Sequence, residues 1–359
     1  MSARTSLIAL TLSALLAACG GSGSPGHAHT QAASLAPAQP AASPTTTRAA
    51  RPAGAPRVQA LVTAETENRL LVVALPSGQV VRSIPLPADP EDIAAENPAW
   101  ESGRLAVVTS AAAGKVSLLR GPLLRTVREW GGFTSPHIVE LMPVPEGFDA
   151  YVTDDARGTV TVIDLRRGRV MSTLRVGANA HHLSFNLIHQ MAWVALGESA
   201  STIVILSTQD PARPTVLGHF DPGFEVHDLA FTSNGNRVWV TSANRSYVTV
   251  FDVDQHMLFR VPAGPPPQHV ALIGSYAYLT SGYGSMIEQV DARTGRILAK
   301  ASSPDGSFEL AADERYVVVS SLLRGTLAIY TPRLKLLRVV HLAPATREVA
   351  LSSPGGSRP

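Results

Sequence analysis

The chain has 359 residues with 30 basic and 28 acidic side chains, so it carries almost no net charge. No basic run or interleaving of aromatic and basic residues is present, which argues against nucleic acid as a partner. The single cysteine excludes an intrachain disulfide, a zinc–cysteine site and an iron–sulfur cluster, so packing of the core has to hold the fold.

Residues 1–18 are predicted to be a signal peptide and not part of the fold. Arg4 supplies a positive start, and residues 7–18 are apolar but too short to cross a bilayer, which needs about 20 residues. Residues 16–20 (LAACG) resemble the cleavage box of bacterial lipoproteins. That resemblance implies lipidation of Cys19, export across the cytoplasmic membrane and anchoring to its outer side in the cell envelope.

Residues 19–56 are rich in Gly, Ser, Ala and Pro and show no apolar periodicity, so we predict a flexible tether. His27 and His29 lie in this segment and are interpreted as part of a solvated linker. Residues 57–353 are predicted to form the folded domain, and residues 354–359 a disordered tail.

From residue 57 onward the pattern is that of short strands separated by turns. Residues 151–154 (YVTD), 159–165 (TVTVIDL) and 169–176 (RVMSTLRV) form one clear unit, with residues 166–168 (RRG) as the turn before its last strand. This unit resembles the YVTN-type β-propeller repeat of bacterial surface and periplasmic proteins, although Asp154 replaces the asparagine. Weaker copies begin at Val107, Trp193, Trp239, Tyr278 and Val317.

Seven ionisable residues recur just before a short apolar run, at intervals of 39 to 46 residues. A period of this size is typical of propeller blades. The resemblance and the period together predict an all-β, seven-bladed propeller with four antiparallel strands in each blade. We expect blades to begin near residues 91, 136, 181, 227, 268, 308 and 347. The last blade is expected to combine the C-terminal strand with strands from residues 58–86, which closes the ring and leaves no open sheet edge.

Equivalent positions in a ring of blades face one axis, so the seven residues are predicted to form a collar at one mouth of the channel. The collar consists of Asp92, His137, His182, Asp228, His269, Glu309 and Glu348, and no blade is expected to place an apolar residue there. A secondary collar is expected from Glu91, His181, His227, Gln268 and Arg347.

The collar leaves several interpretations open. A divalent metal ion on the axis could use His137, His182 and His269 with a carboxylate or water, as zinc, copper, iron or nickel would, and the four carboxylates could instead favour calcium. A small molecule or an envelope protein could bind the same face without metal. The collar could also be a water-filled structural feature of the channel.

A catalytic alternative comes from residues 135–137 (SPH), which resemble the Pro-His segment of lactonase-type propellers. The resemblance implies a hydrolase in which His137, His182 and Arg347 serve as base and charge stabiliser. No complete catalytic constellation or nucleotide-binding motif is present, so a binding scaffold is the leading hypothesis. Trp193 and Trp239 are expected in the core of a blade, and Trp100 and Trp130 in loops.

Overall fold

The computed structural model describes residues 58–96, 104–197 and 200–352. The predicted signal peptide, the lipidation site Cys19, the tether with His27 and His29, Trp100 and the C-terminal tail lie outside the described residues. Within the described ranges every regular element is a β-strand, and none of them holds a helix long and apolar enough to cross a membrane.

The strands form seven antiparallel sheets of four strands, as predicted. The first three strands of the chain are β1 (Gln59–Ala64), β2 (Arg69–Ala74) and β3 (Gln79–Pro85). Blades one, two and three follow as β4 (Pro90–Glu96), β5 (Leu105–Ser110), β6 (Lys115–Arg120), β7 (Arg125–Gly131); β8 (Pro136–Val144), β9 (Gly147–Asp154), β10 (Thr159–Asp164), β11 (Arg169–Arg175); and β12 (Ala180–Asn186), β13 (Met191–Leu196), β14 (Thr202–Ser207), β15 (Thr215–Phe220). Blades four, five and six are β16 (Val226–Phe231), β17 (Arg237–Ser242), β18 (Tyr247–Asp252), β19 (Met257–Pro262); β20 (Val270–Ile273), β21 (Tyr276–Leu279), β22 (Met286–Asp291), β23 (Ile297–Ser302); and β24 (Ser307–Ala312), β25 (Val317–Ser321), β26 (Thr326–Tyr330), β27 (Leu336–His341).

Blade seven closes the ring and confirms the prediction for the two ends of the domain. Its last strand in the chain, β28 (Thr346–Ser352), pairs with β1, and the sheet order is β28-β1-β2-β3. The first strands of successive blades contact one another in the order β4, β8, β12, β16, β20, β24, β28, and β28 contacts β4 again. These seven strands therefore surround a common channel.

The core lies between neighbouring blades and not in a single central layer. Apolar side chains on the second and third strands of one blade pack against those of the next, and each of seven buried clusters joins residues of two adjacent blades. Trp193 and Trp239 are fully buried in two of these layers, as predicted. Trp130 was expected in a loop, which is wrong. It lies in β7, is 9% exposed, and donates its indole N–H to the Gly168 carbonyl at 3.2 Å.

Candidate functional site

A β-bulge at the start of the first strand positions the candidate site in each blade. In blade one, Pro90 pairs with Ser110 and Ile93 with Val108, so two residues of β4 lie opposite the single residue Thr109. An ordinary strand would send successive side chains to opposite faces, whereas a bulge redirects one of them. Two consecutive side chains can therefore line the channel in each blade.

The register divides these residues into two rings. The first bulge ring consists of Glu91, His137, His181, His227, Gln268, Phe308 and Arg347. The second bulge ring consists of Asp92, Ile138, His182, Asp228, His269, Glu309 and Glu348. In blade five the two residues immediately precede β20, where the Thr280 N–H donates to the His269 carbonyl at 3.1 Å.

Two details of the predicted collar are corrected by this register. His137 belongs to the first ring together with Glu91 and His181, because Ile138 occupies the second bulge position of blade two. The expectation that no blade places an apolar residue in the collar is also wrong, since Ile138 and Phe308 both line the channel. The sequence period could not resolve these differences, because the two bulge positions are adjacent in the chain.

Hydroxyl groups on the second strands hold the bulges in place. Thr109 accepts the Asp92 N–H at 3.1 Å and donates to the His137 carbonyl of the next blade at 2.6 Å. Thr153, Thr241 and Thr63 accept the second bulge N–H in their own blades at 2.8 to 2.9 Å. These are the threonines of the recurring YVTD-like segments. Their hydrogen bonds to the bulge backbone explain why a threonine recurs at this position of the repeat.

Five imidazoles from four blades meet in the channel. His137, His181, His182, His227 and His269 are each at most 9% exposed. The rings of His137 and His181 are stacked at 4.0 Å, and the ring centroids of His227 and His269 lie 4.5 Å apart. We call these five residues the histidine cluster.

Carboxyl groups lie beside the Nδ1 atoms of four of these rings. His181 lies 2.9 Å from Asp155, His182 lies 3.2 Å from Asp228, and His137 lies 3.7 Å from Glu91. His269 contacts Glu309 in the same way. Histidines that bind metals commonly donate one ring N–H to a carboxylate, which orients the ring and leaves the other nitrogen for the ion.

His227 differs from the other four because, among the described residues, no carboxyl group lies beside its Nδ1 atom. Its Nε2 atom lies 2.7 Å from His269 Nε2. This contact needs one donor and one acceptor, so one of the two rings carries a proton on Nε2 and the other does not.

Burial favours the neutral form of four members of the cluster. It lowers the pKa of His137 and His227 well below the usual value, lowers that of His182, and lowers that of His269 to about 3. Burial opposes ionisation of Asp228, but the hydrogen bond from His182, the electrostatic attraction of His182 and His269, and the Val270 N–H together outweigh it and bring the pKa of Asp228 to about 2. Neutral imidazole is the form that binds metal ions.

Three further acids of the rings are hard to ionise because they are buried. Burial raises the pKa of Glu91 and of Asp92 to about 7, and that of Glu348 well above its usual range. Arg347 offsets part of this effect, with its Nε atom 2.5 Å from Glu91 Oε2 and its Nη1 atom 3.2 Å from Glu65 Oε2.

Two cavities flank the second ring. A small cavity of about 20 Å³ is lined by the five histidines together with Arg347, Phe308 and neighbouring acids, which is room for one water or ion. A larger cavity of about 300 Å³ is lined by His182, Glu140 and all four carboxylates of the second ring: Asp92, Asp228, Glu309 and Glu348. His182 is the only member of the histidine cluster that lines both.

Some of the predicted residues are not brought together. His137 and His269, expected to share an ion, fall in different groups of three close ligands: one is His137, His181 and His182, and the other is His182, His227 and His269. Gln268 points away from both cavities, since its amide group bonds Ser242, Arg245 and Gly264 of blade four and the following link.

Two acids at the site were not identified from the sequence. Asp155 lies beside His181 Nδ1, whereas the adjacent Asp154 caps the turn by accepting the N–H groups of Thr134, Ser135 and Arg157. Glu140 lies within β8 and lines the larger cavity, where burial raises its pKa to about 8. Its position three residues after the ring position His137 gave no sign of this role.

Comparison with known proteins identifies the fold but no family. No protein-family model and no curated protein matches the sequence. Solved structures do match: a functionally unknown protein from Desulfotomaculum acetoxidans has a TM-score of 0.68 at 16% identity, covering 82% of this chain and 99% of that one. Apo AztD from Citrobacter koseri has a TM-score of 0.63 at 10% identity, covering 85% and 100%. Hydrazine synthase from Kuenenia stuttgartiensis has a TM-score of 0.64 at 14% identity, covering 76% and 91%. At these identities the similarity establishes the propeller fold alone.

Proposed function

We propose that this protein is a non-catalytic metal-binding propeller that holds one divalent transition-metal ion, best suited to zinc, in the histidine cluster. The observation that carries the proposal is the combination of buried imidazoles with carboxyl groups beside their Nδ1 atoms. The five histidines of the cluster line a cavity of about 20 Å³. Imidazole ligands suit zinc, copper, iron and nickel, and zinc accepts three histidines with water as the fourth ligand.

The size of the small cavity favours an ion over an organic substrate. A lactonase would have to bring a sugar lactone beside His137, His182 and Arg347, whereas the cavity at these residues has room for one water or ion. The Arg347 guanidinium is also engaged by Glu65 and Glu91, so its charge is already compensated. Both features argue against the hydrolase alternative.

The cell envelope is the proposed location. The lipoprotein-like segment ending at Cys19 and the resemblance to YVTN-type propellers both support an extracytoplasmic protein anchored by lipid. Residues 20–56 would then separate the propeller from the membrane surface. A binding propeller at this location would exchange its ion with a partner protein of the envelope or with the surrounding medium.

Calorimetric titration of the full chain with zinc tests the proposal. His27→Ala and His29→Ala are introduced first, so that the N-terminal histidines contribute nothing. We expect about one equivalent of zinc and no binding of magnesium. Because mutation of a group outside the ligand shell already costs about 10- to 100-fold in affinity, loss of the ligand His182 in His182→Gln should cost more than about 100-fold.

His341→Gln is the matched control, because His341 is exposed on the outer strand β27. It should bind zinc as the parent chain does. The proposal is wrong if the parent chain binds less than a tenth of an equivalent of zinc, copper and nickel. Equal affinity of His182→Gln and His341→Gln would also contradict it.

A further inference from the structure

A third cavity lies away from the channel, between blades two and three. It has a volume of about 370 Å³ and shares no lining residue with either channel cavity. Blade two lines it with Phe148, Asp149 and Met171, and the link between β14 and β15 of blade three lines it with Asp210 and Pro211. Pockets for small molecules typically measure about 300–1,000 Å³, so this one is large enough for a ligand. We call it the interblade pocket.

Two hydroxyl groups of blade two hold the blade-three side of the interblade pocket in place. The Tyr151 hydroxyl donates to the Pro211 carbonyl, and the Ser172 hydroxyl donates to the Ala212 carbonyl at 2.7 Å. Tyr151 itself is fully buried. The pocket is therefore a fixed feature of two packed blades.

Asp149 is a buried acid of this pocket that lacks a partner. It is 8% exposed, and among the described residues its carboxylate accepts no hydrogen bond and forms no ion pair. The two arginines at the pocket are already engaged. Arg166 contacts Glu146, while Arg167 lies 3.3 Å from the same carboxylate and 2.9 Å from Asp164. A buried carboxylate without a partner is costly, so the pocket is short of one positive charge.

The residue opposite Asp149 adds to this shortage. Asp149 pairs across the strands with Asp164, the last residue of β10. The equivalent pair in blade four joins Asp252 to Arg237, which have opposite charges. Of the seven equivalent pairs in the described blades, only the one in blade two joins two acids. Like charges directly opposite one another destabilise a sheet, and a cation placed between them would relieve the repulsion.

The Asp149 carboxyl group is ionised near neutral pH. Burial and the neighbouring Asp164 raise the pKa of Asp149 to about 6, and the Arg167 guanidinium offsets part of that rise. The group therefore carries its negative charge at about pH 7.5. The apolar side chains of Phe148 and Met171 line the pocket beside it. A ligand that matches these walls has a positive end and an apolar body.

We infer that the interblade pocket binds a small organic amine, with the ammonium group at Asp149 and the apolar body against Phe148 and Met171. An ammonium group is compact and donates three hydrogen bonds, so it suits a carboxylate that is almost fully buried.

Other occupants fit the pocket less well. A divalent metal ion would meet the positive charges of Arg166 and Arg167, and the Asp164 carboxylate is already bonded to Arg167. An organic anion would meet four carboxyl groups, which belong to Glu146, Asp149, Asp164 and Asp210.

Hexylammonium is the probe for this site, and 1-hexanol and hexanoate have the same carbon chain without the positive charge. Calorimetric titration of the full chain at about pH 7.5 should show saturable binding of hexylammonium. A hydrogen bond to a charged group contributes about 10-fold or more to affinity, so hexanol and hexanoate should bind at least about 10-fold more weakly. Methylammonium should also bind at least about 10-fold more weakly, since each buried methylene contributes about 4-fold.

Asp149→Asn removes the charge at nearly constant size. It should weaken the binding of hexylammonium at least about 10-fold and leave that of hexanol unchanged. Asp254→Asn is the matched control, because it removes one acid from an exposed turn of blade four outside the pocket. This control should bind hexylammonium as the parent chain does.

Undiminished binding of hexylammonium by Asp149→Asn would place the amine in the acid-lined channel cavity and overturn the inference. Equal affinities for hexylammonium and hexanol would overturn it as well, and so would the absence of saturable binding. None of these results affects the proposed function, because the histidine cluster lies in the channel.

Thermal unfolding without ligand shows that the variant folds and tests whether Asp149 lacks a partner. Removal of one of two opposed acids should leave the unfolding temperature unchanged or raise it. A lower unfolding temperature for Asp149→Asn than for Asp254→Asn would mean that the fold itself compensates the Asp149 charge, which would refute the inference.

Discussion

Replacement of Thr109 by valine tests whether the second-strand hydroxyls hold the channel together. Thr109 is fully buried and makes two hydrogen bonds, one from the Asp92 N–H and one to the His137 carbonyl. Valine keeps the shape but removes both. Loss of the bond to the His137 carbonyl costs about 1 kcal/mol, and the buried Asp92 N–H left without an acceptor costs about 1–3 kcal/mol, so we expect a loss of about 2–4 kcal/mol in the free energy of unfolding.

Urea unfolding of the metal-free protein measures this loss, with Thr249→Val as the matched control. Thr249 is equally buried, but its hydroxyl has no hydrogen-bond partner among the described residues, so the same substitution should cost nothing or slightly stabilise the protein. The expected result is a lower midpoint for Thr109→Val at an unchanged slope. If both variants unfold at the same urea concentration, the hydroxyl does not fix the bulge and our account of the channel is wrong.

Three further predictions follow from the fold and its buried charges. Removal of residues 346–352 takes β28 from blade seven and exposes the edge of β1, so size-exclusion chromatography should show association, and a stable monomer would contradict ring closure. Trp239→Ala should lower the free energy of unfolding by about 3–5 kcal/mol because the ring is fully buried, whereas Tyr283→Ala, at a side chain that is 74% exposed, should stay within about 0.5 kcal/mol. Stability of the metal-free protein should fall from pH 6.5 to pH 8, since buried Glu140, with a pKa of about 8 against 4.5 when unfolded, must give up its proton as the pH rises through that window. Glu140→Gln should flatten this dependence in denaturation midpoints measured at the two pH values, and an unchanged slope would refute the assignment.

The propeller could be predicted because the same pattern of strands and turns recurs along the chain. Seven copies of a strand pattern with turns at Gly78, Gly235 and Gly295 specify both the blade and the number of blades. The unpaired strand pattern at each end of the domain also predicted that β28 would join β1. Both inferences rest on hydrophobic alternation and turn chemistry, which are local properties that a sequence displays directly.

The candidate site was only partly predictable, because the β-bulge at the start of each first strand decides which side chains enter the channel. A repeat of about 40 residues locates the channel end of each blade to within one residue, but the two bulge positions differ by a single residue. His137 was therefore assigned to the same ring as His182, although its bulge position places it in the ring of His181. The pairing of Asp155 with His181 is also invisible in the sequence, since it joins residues of two blades whose separation is set by packing.

Because blade seven combines strands from both ends of the domain, the ring can close only after its last strand has been synthesised. Its sheet needs residues from both ends of the domain, so the circle stays open until residue 352 has emerged from the ribosome. His137, His181 and His182 are made long before that point, but Arg347 and Glu348 arrive with the final strand. A nascent chain therefore has no finished channel, so the proposed capture of an ion would begin only after residue 352 has been made.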